Sequence, residues 1–126
     1  MKGVREIIAR EISVIDEQIN EQKQSISDLL VKIAEQQKSI NEMEERIVSM
    51  EDVLKHLLKR GAKSEDNIAF SSVISNLKTI LERMTEDYEF DKNVLERIKK
   101  ECEVKQRVLK ELEAKKRYYE IAMEVA

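Results

Sequence analysis

The chain has 126 residues, a formal net charge of −3, no proline or tryptophan, and only two glycines. These counts argue against a β fold, because sheets need β-branched and aromatic strands separated by glycine- or proline-containing turns. A chain that is 39% charged and almost free of helix breakers predicts long helices or a coiled coil in one domain. So few loop-forming residues also argue against an enzyme, whose catalytic groups usually lie on loops.

The first predicted element is a helix over residues 3–60 that carries a strict heptad repeat. Alternating steps of four and three residues pass through positions that are all apolar except Gln22 and Gln36. A single amphipathic surface helix would drift off such a repeat, so the pattern predicts a left-handed coiled coil. The positions of this first seam are Ile8, Ile12, Ile15, Ile19, Gln22, Ile26, Leu29, Ile33, Gln36, Ile40, Met43, Ile47, Met50, Leu54 and Leu57.

A short turn over residues 61–63 is predicted to follow. Gly61 suits a left-handed residue that ends a helix, and Ser64 can cap the free N–H groups of the next helix. A loop of this length forces two helices of one chain to run antiparallel. The second helix is predicted over residues 64–125, which gives two helices of roughly 85–95 Å each and a single hairpin over residues 1–126.

The same spacing continues along the second helix, where all positions but Asp91, Lys105 and Lys116 are apolar. A further apolar stripe lies one heptad position before this seam, at Val73, Ile80, Val94 and Val108. The second helix therefore has more apolar surface than a two-stranded seam needs. The positions of the second seam are Phe70, Ile74, Leu77, Leu81, Met84, Tyr88, Asp91, Leu95, Ile98, Cys102, Lys105, Leu109, Leu112, Lys116, Tyr119 and Met123.

A turn centred near residue 62 also predicts the register of the hairpin. Polar seam residues would then face residues that tolerate or hydrogen-bond them, a pattern that sets register in coiled coils. An assembly of the same helices between chains is the main alternative. The predicted partners are Leu54 with Phe70, Met50 with Ile74, Gln36 with Tyr88, and Gln22 with Cys102.

No set of residues in the sequence has the spacing of a catalytic or metal site. His56 is the only histidine, and Cys102 lies on the seam, where cysteine usually acts as a small buried apolar residue. There is no glycine-rich phosphate loop and no Cys/His pattern for zinc. Because the chain also lacks a signal peptide and any long apolar run, we expect a non-catalytic, cofactor-free, soluble protein of the cytoplasm.

Charge is uneven along the second helix. Residues 82–91 carry a net charge of −4, whereas residues 92–117 carry a net charge of +5. An uneven but solvated helix surface explains this distribution, and so does an electrostatic docking surface. Nucleic acid is a weaker candidate, because only Tyr118 and Tyr119 supply aromatic rings beside the basic stretch.

Two segments of the second half resemble a known family. They are Phe70-Ser-Ser-Val73-Ile74-Ser-Asn76-Leu77, which opens the second helix, and the basic, leucine-bearing Arg107-Val-Leu-Lys-Glu-Leu112-Glu-Ala-Lys-Lys-Arg117-Tyr-Tyr-Glu. Together with the heptad helix and Gly61, they are similar to the FliJ and YscO-type central stalk proteins of bacterial type III secretion. The first helix matches this family only in length and pattern. The chain looks like a shorter, injectisome-type member, since it lacks the aromatic start and longer end typical of flagellar members.

The resemblance implies a hairpin that is inserted into the ring of the hexameric secretion ATPase, at the cytoplasmic face of the secretion apparatus. It also implies contact with the membrane-embedded export gate through positions that match Val73, Leu77, Ile80 and Met84. The end that enters the ring in this family carries the predicted ATPase-contact residues here. These are Lys99, Lys100, Arg107, Lys110, Lys115, Lys116 and Arg117.

Other functions and partners remain open from sequence. A coiled-coil scaffold or tether would need only the seam. A prefoldin-like chaperone is also a helical hairpin, but it needs β-hairpins that three loop residues do not supply. We expect a monomer in isolation, with no bound nucleic acid and no insertion into a membrane. Secretion chaperones are a further candidate partner.

Overall fold

The computed structural model describes residues 2–61 and 68–126, which form two long α helices there. Helix α1 runs Lys2–Gly61 and helix α2 runs Ile68–Val125. The helices pack against each other in opposite directions, as the pairing of Asp16 near the start of α1 with Lys116 near the end of α2 illustrates. The chain is therefore an all-α, two-helix antiparallel hairpin, which confirms the predicted fold class.

The sequence predicted helices over residues 3–60 and 64–125. Helix α1 includes Gly61 as its last residue, with Lys59 and Arg60 in its last turn, where cations complement the negative end of the helix dipole. The rest of the predicted turn, and the predicted cap at Ser64, lie outside the described residues and stay predictions. Helix α2 ends at Val125.

Packing divides the chain into two compact units, each containing a stretch of α1 and a stretch of α2. Unit 1 comprises Met1–Ile33 and Arg97–Ala126, and unit 2 comprises Ala34–Glu96. In both units the most deeply buried side chains are predicted seam residues of the two helices. All of the predicted seam positions are buried or half-buried, so the predicted seam is confirmed.

The core of unit 1 is built from seam residues of both helices. Ile26 and Leu29 of α1 and Cys102 of α2 form a buried cluster, and Ile33, Ile98 and Leu109 pack against it. Ile15, with 1% of its surface exposed, is the most completely buried side chain of the described residues. Few side chains are sealed to this degree, because a helix in a two-helix hairpin has only one neighbour to cover it.

Unit 2 is packed more openly. Its buried side chains are Ile40, Ile47 and Leu95, and the seam positions from Met50 to Leu57 and from Phe70 to Tyr88 are half-buried. Beside the seam of α2, Val73 and Ile80 are exposed. The apolar stripe predicted there thus remains accessible at these two positions of unit 2, whereas Val94 is half-buried.

The predicted register was wrong, although the predicted seam was right. On that register Ser25 would face Lys99 and Asp16 would face Val108, whereas Ser25 accepts a hydrogen bond from Lys105 and Asp16 pairs with Lys116. These contacts are displaced along α2 by six and eight residues, which is close to one heptad. A shift of one heptad places the same kinds of residue on the seam, so apolar periodicity alone did not fix the register.

The predicted facing pairs change accordingly. Cys102 packs with Ile26 and Leu29 rather than being matched to Gln22. The Gln36 side-chain amide donates to the backbone carbonyl of Asp91, 3.5 Å away, rather than facing Tyr88. Lys105 and Lys116 on the seam of α2 do find polar partners on α1, but at positions that only the packed helices reveal.

Gln22 offers a direct test of this packing. Its Oε1 atom is buried and accepts no hydrogen bond from any described residue. Because an unsatisfied buried carbonyl is costly, we expect Gln22→Leu to raise the free energy of unfolding by about 1–2 kcal/mol. Urea unfolding followed by circular dichroism measures the change. Gln36→Leu is the matched control, since Gln36 already has a hydrogen-bond partner; an equal gain in both variants would contradict the interpretation.

Candidate functional site

The described residues offer no cluster of possible metal ligands. Residues 2–61 and 68–126 contain no group of three or more histidine, cysteine or carboxylate side chains that could hold a metal ion. Cys102 is 4% exposed and packs among aliphatic side chains, and His56 is exposed near the end of α1. In the same ranges, neither helix has a stretch apolar enough to cross a membrane. The predicted contact residues lie on the seam and on the exposed faces of α2.

Five of the seven predicted ATPase-contact residues share one side of α2 in unit 1. At 100° per residue, Lys100, Arg107, Lys110 and Arg117 fall within an arc of about 100°, and all four are exposed. Lys99 lies at the edge of this arc and is half-buried. We call the four exposed residues the basic stripe.

The basic stripe is mixed with a few acidic residues. Arg107 and Lys110 line a shallow depression together with Leu109, Glu103 and Glu113. Four cations against the two carboxylates of Glu103 and Glu113 still leave the stripe positive, with the aliphatic side chain of Leu109 between the charges. Such a surface favours an acidic protein partner with a few apolar side chains.

The other two predicted ATPase-contact residues lie elsewhere. Lys115 is exposed but lies outside the arc of the basic stripe. Lys116 is on the seam, with its ammonium 2.7 Å from Asp16 and 3.8 Å from Glu120. Lys116 therefore joins α1 to α2, and Lys105 does the same through its hydrogen bond to Ser25.

The contacts of Lys116 are expected to stabilise unit 1 at neutral pH and to lose this effect at strongly alkaline pH. The hydrogen bond to Asp16 raises the pKa of Lys116 above its ordinary value of 10.5, and the charges of Asp16 and Glu120 add to this. A raised pKa means that the stabilisation is complete below the unfolded-state pKa and is lost as pH rises through the folded-state pKa. We expect Lys116→Gln to remove this part of the alkaline loss of stability.

Urea unfolding between mildly and strongly alkaline pH measures the effect. Lys110→Gln, which removes an exposed lysine of the same helix, is the control. If both variants lose stability with pH in the same way as the unmodified protein, the bond between Lys116 and Asp16 has no energetic role.

The predicted gate-contact residues lie in unit 2 and differ in exposure. Val73 and Ile80 are exposed, at 48% and 46%, whereas Leu77 and Met84 are half-buried on the seam. Ile80 and Met84 nevertheless line one open groove. Leu77 and Val73 are not part of this groove, so the structure brings together two of the four residues.

The first helix supplies the other wall of this groove, which sequence reasoning missed. Met50, Ser49 and Arg46 face the groove, and Glu42 and Glu45 complete its rim. The predicted register placed Met50 opposite Ile74, away from Ile80. Only the observed register brings the α1 residues to the groove, and the sequence carries no separate signal for them. We call this the Met50–Ile80 groove.

Comparison of the chain with models of known families, with curated proteins and with solved structures returned no match.

Proposed function

We propose that the chain is a non-catalytic central stalk of a bacterial type III secretion system. It binds the hexameric secretion ATPase and couples the ATPase to the export gate, at the cytoplasmic face of the secretion apparatus. The observation that carries this proposal is the basic stripe, which places four exposed cations on one side of α2, toward the end that enters the ATPase ring in the family that the sequence resembles. The hairpin fold supports it, since a stalk requires two continuous paired helices.

The ATPase contact would be mainly electrostatic. Lys100, Arg107, Lys110 and Arg117 lie along about five turns of helix and so can meet carboxylates on several ring subunits at once. Exposed charge pairs contribute little individually but guide association and orientation. Lys116 does not belong to this contact, because it already bonds Asp16 within the hairpin.

The gate contact would be mainly apolar. Ile80, Met84 and Met50 give the Met50–Ile80 groove an apolar floor, and Val73 extends the exposed apolar surface of α2 in the same unit. Methionine suits such a surface because its flexible side chain adapts to different partners. Arg46, Glu42 and Glu45 on the rim would select a partner with complementary charges.

The mechanism requires no chemistry from the stalk itself. An asymmetric hairpin cannot make identical contacts with all six subunits of a symmetric ring. The subunits that it contacts best are therefore biased toward one of the conformations that the ring already samples. Changes in the ring during ATP hydrolysis would be transmitted along the helices to the gate.

Purified protein and a purified hexameric secretion ATPase test this proposal directly. We expect binding with a dissociation constant of about 1 μM or tighter, because several charge pairs act together at the ring. We also expect faster ATP hydrolysis and a larger fraction of hexamers when the protein is added. Isothermal titration calorimetry, a phosphate-release assay and light scattering give the three results.

The outcomes also separate a stalk from a scaffold. A scaffold or tether would leave the hydrolysis rate and the distribution of oligomers unchanged, even if it bound weakly. No binding at micromolar concentration to any secretion ATPase, injectisome or flagellar, would overturn the stalk assignment.

A further inference from the structure

A second heptad stripe runs along one edge of α2 in unit 1, beside the seam. Val104 and Tyr118 are 51% and 77% exposed on this edge, and Val108 and Ala122 are half-buried. The basic stripe includes none of these residues, and the hairpin packing leaves Val104 and Tyr118 exposed and covers only part of Val108 and Ala122. The edge, which we call the Val104–Ala122 edge, follows steps of four and three residues through Val104, Val108, Glu111, Lys115, Tyr118 and Ala122.

The residues of this edge would pair favourably with a second copy of the same edge that runs in the opposite direction. Inversion about residue 113 exchanges Glu111 with Lys115, so an acid meets a base in each direction. The same inversion places Val108 opposite Tyr118 and Val104 opposite Ala122, so apolar residues meet apolar residues. A second copy of the edge, running antiparallel, is thus a partner with matching charge and matching apolar positions.

We propose that two copies of this chain associate through the Val104–Ala122 edge, with α2 antiparallel to α2 of the partner about a two-fold axis at residue 113. Glu111 then pairs with the partner's Lys115, and Lys115 pairs with the partner's Glu111. Val108 and Tyr118 form the apolar contact on either side of these charges. Such an interface is isologous, as most homodimer interfaces are.

Charge disfavours the parallel arrangement of the same edges. In a parallel pair, Glu111 would face the partner's Glu111 and Lys115 would face the partner's Lys115. Like charges at facing positions disfavour that orientation, whereas the antiparallel pair matches every charged position on the edge. The charges therefore favour a second copy of this edge as the partner, in the antiparallel direction.

The interface is short, so the dimer dissociates readily. An edge of 19 residues on one helix per partner lies below the size of stable dimer interfaces, and we expect a dissociation constant of about 10–100 μM. The monomer predicted from sequence is then the dilute form. This inference does not depend on the proposed function, since the pairing concerns the free chain.

Sedimentation equilibrium of the full chain over a range of concentrations tests the dimer. We expect the average mass to rise from that of one chain to that of two. The double variant Val104→Ser with Tyr118→Ser should weaken dimerisation at least tenfold, because it removes the exposed apolar anchors. The control Leu30→Ser with Val31→Ser removes two side chains of α1 that are 49% and 55% exposed, and it should leave the dimer unchanged.

A charge exchange tests the orientation. Glu111→Lys alone and Lys115→Glu alone should each weaken the dimer, because each places like charges opposite one another. The double exchange restores opposite charges across the axis and should restore dimerisation. Far-UV circular dichroism checks that all variants remain helical. The proposal is overturned if the unmodified chain is a monomer at every concentration, or if these variants do not affect the dimer. It is also overturned if the double exchange does not restore dimerisation.

Discussion

Reversing the charge of the basic stripe is expected to abolish productive binding to a hexameric secretion ATPase. The variant carries Lys100→Glu, Arg107→Glu, Lys110→Glu and Arg117→Glu. Each exposed charge contributes up to about 1 kcal/mol and becomes repulsive on reversal, so we expect affinity to fall about 100-fold or more. Stimulation of ATP hydrolysis should be lost at concentrations that saturate the unmodified protein. Titration calorimetry and a phosphate-release assay measure the two effects.

The matched control reverses four exposed cations on the other helix of the same unit, through Arg5→Glu, Arg10→Glu, Lys23→Glu and Lys32→Glu. The two variants have the same net charge, so a difference between them reports position rather than total charge. Equal losses of affinity would mean that binding depends only on net charge, and the basic stripe would not be the ATPase site. Binding should also weaken with added salt, because exposed charges are screened.

Truncating Ile15 is expected to cause the largest loss of stability of any single side-chain truncation in unit 1. Ile15 is 1% exposed, and Ile15→Ala removes buried aliphatic groups and leaves a cavity on the seam. Such substitutions lower the free energy of unfolding by about 2–5 kcal/mol. The loss should lie toward the lower end of that range, because two helices can close partly around the gap. Urea unfolding followed by circular dichroism measures it.

The neighbouring residue provides the control for this prediction. Val14 is 49% exposed and points away from the seam, so Val14→Ala should change the free energy of unfolding by about 0.5 kcal/mol or less. The two residues are adjacent on the same helix, and only their burial against α2 distinguishes them. Similar effects of both truncations would mean that the helices are not paired along this seam.

The two candidate surfaces were accessible to sequence reasoning to different extents. The cations of the basic stripe were predicted from the net positive charge of residues 92–117 and from the family resemblance, and their place on one side of α2 follows from helix geometry. Lys116 was counted with it, since a lysine on the seam looks like any other lysine until Asp16 is seen beside it. For the Met50–Ile80 groove, the sequence predicted only the α2 residues Ile80 and Met84. The α1 wall depends on which residues of α1 lie opposite Ile80, and the predicted register did not give these residues.

The sequence by itself determined the helices, their heptad seam and the all-α hairpin. These features follow from local propensity and a repeat of seven residues, both of which can be read along one chain. The tertiary structure alone decided the register. Sliding one helix past the other by a heptad leaves the apolar seam intact, and the choice lies with a few long-range polar contacts such as Lys116 with Asp16 and Lys105 with Ser25. The register therefore also determines which residues of α1 and α2 lie together on each surface that both helices form.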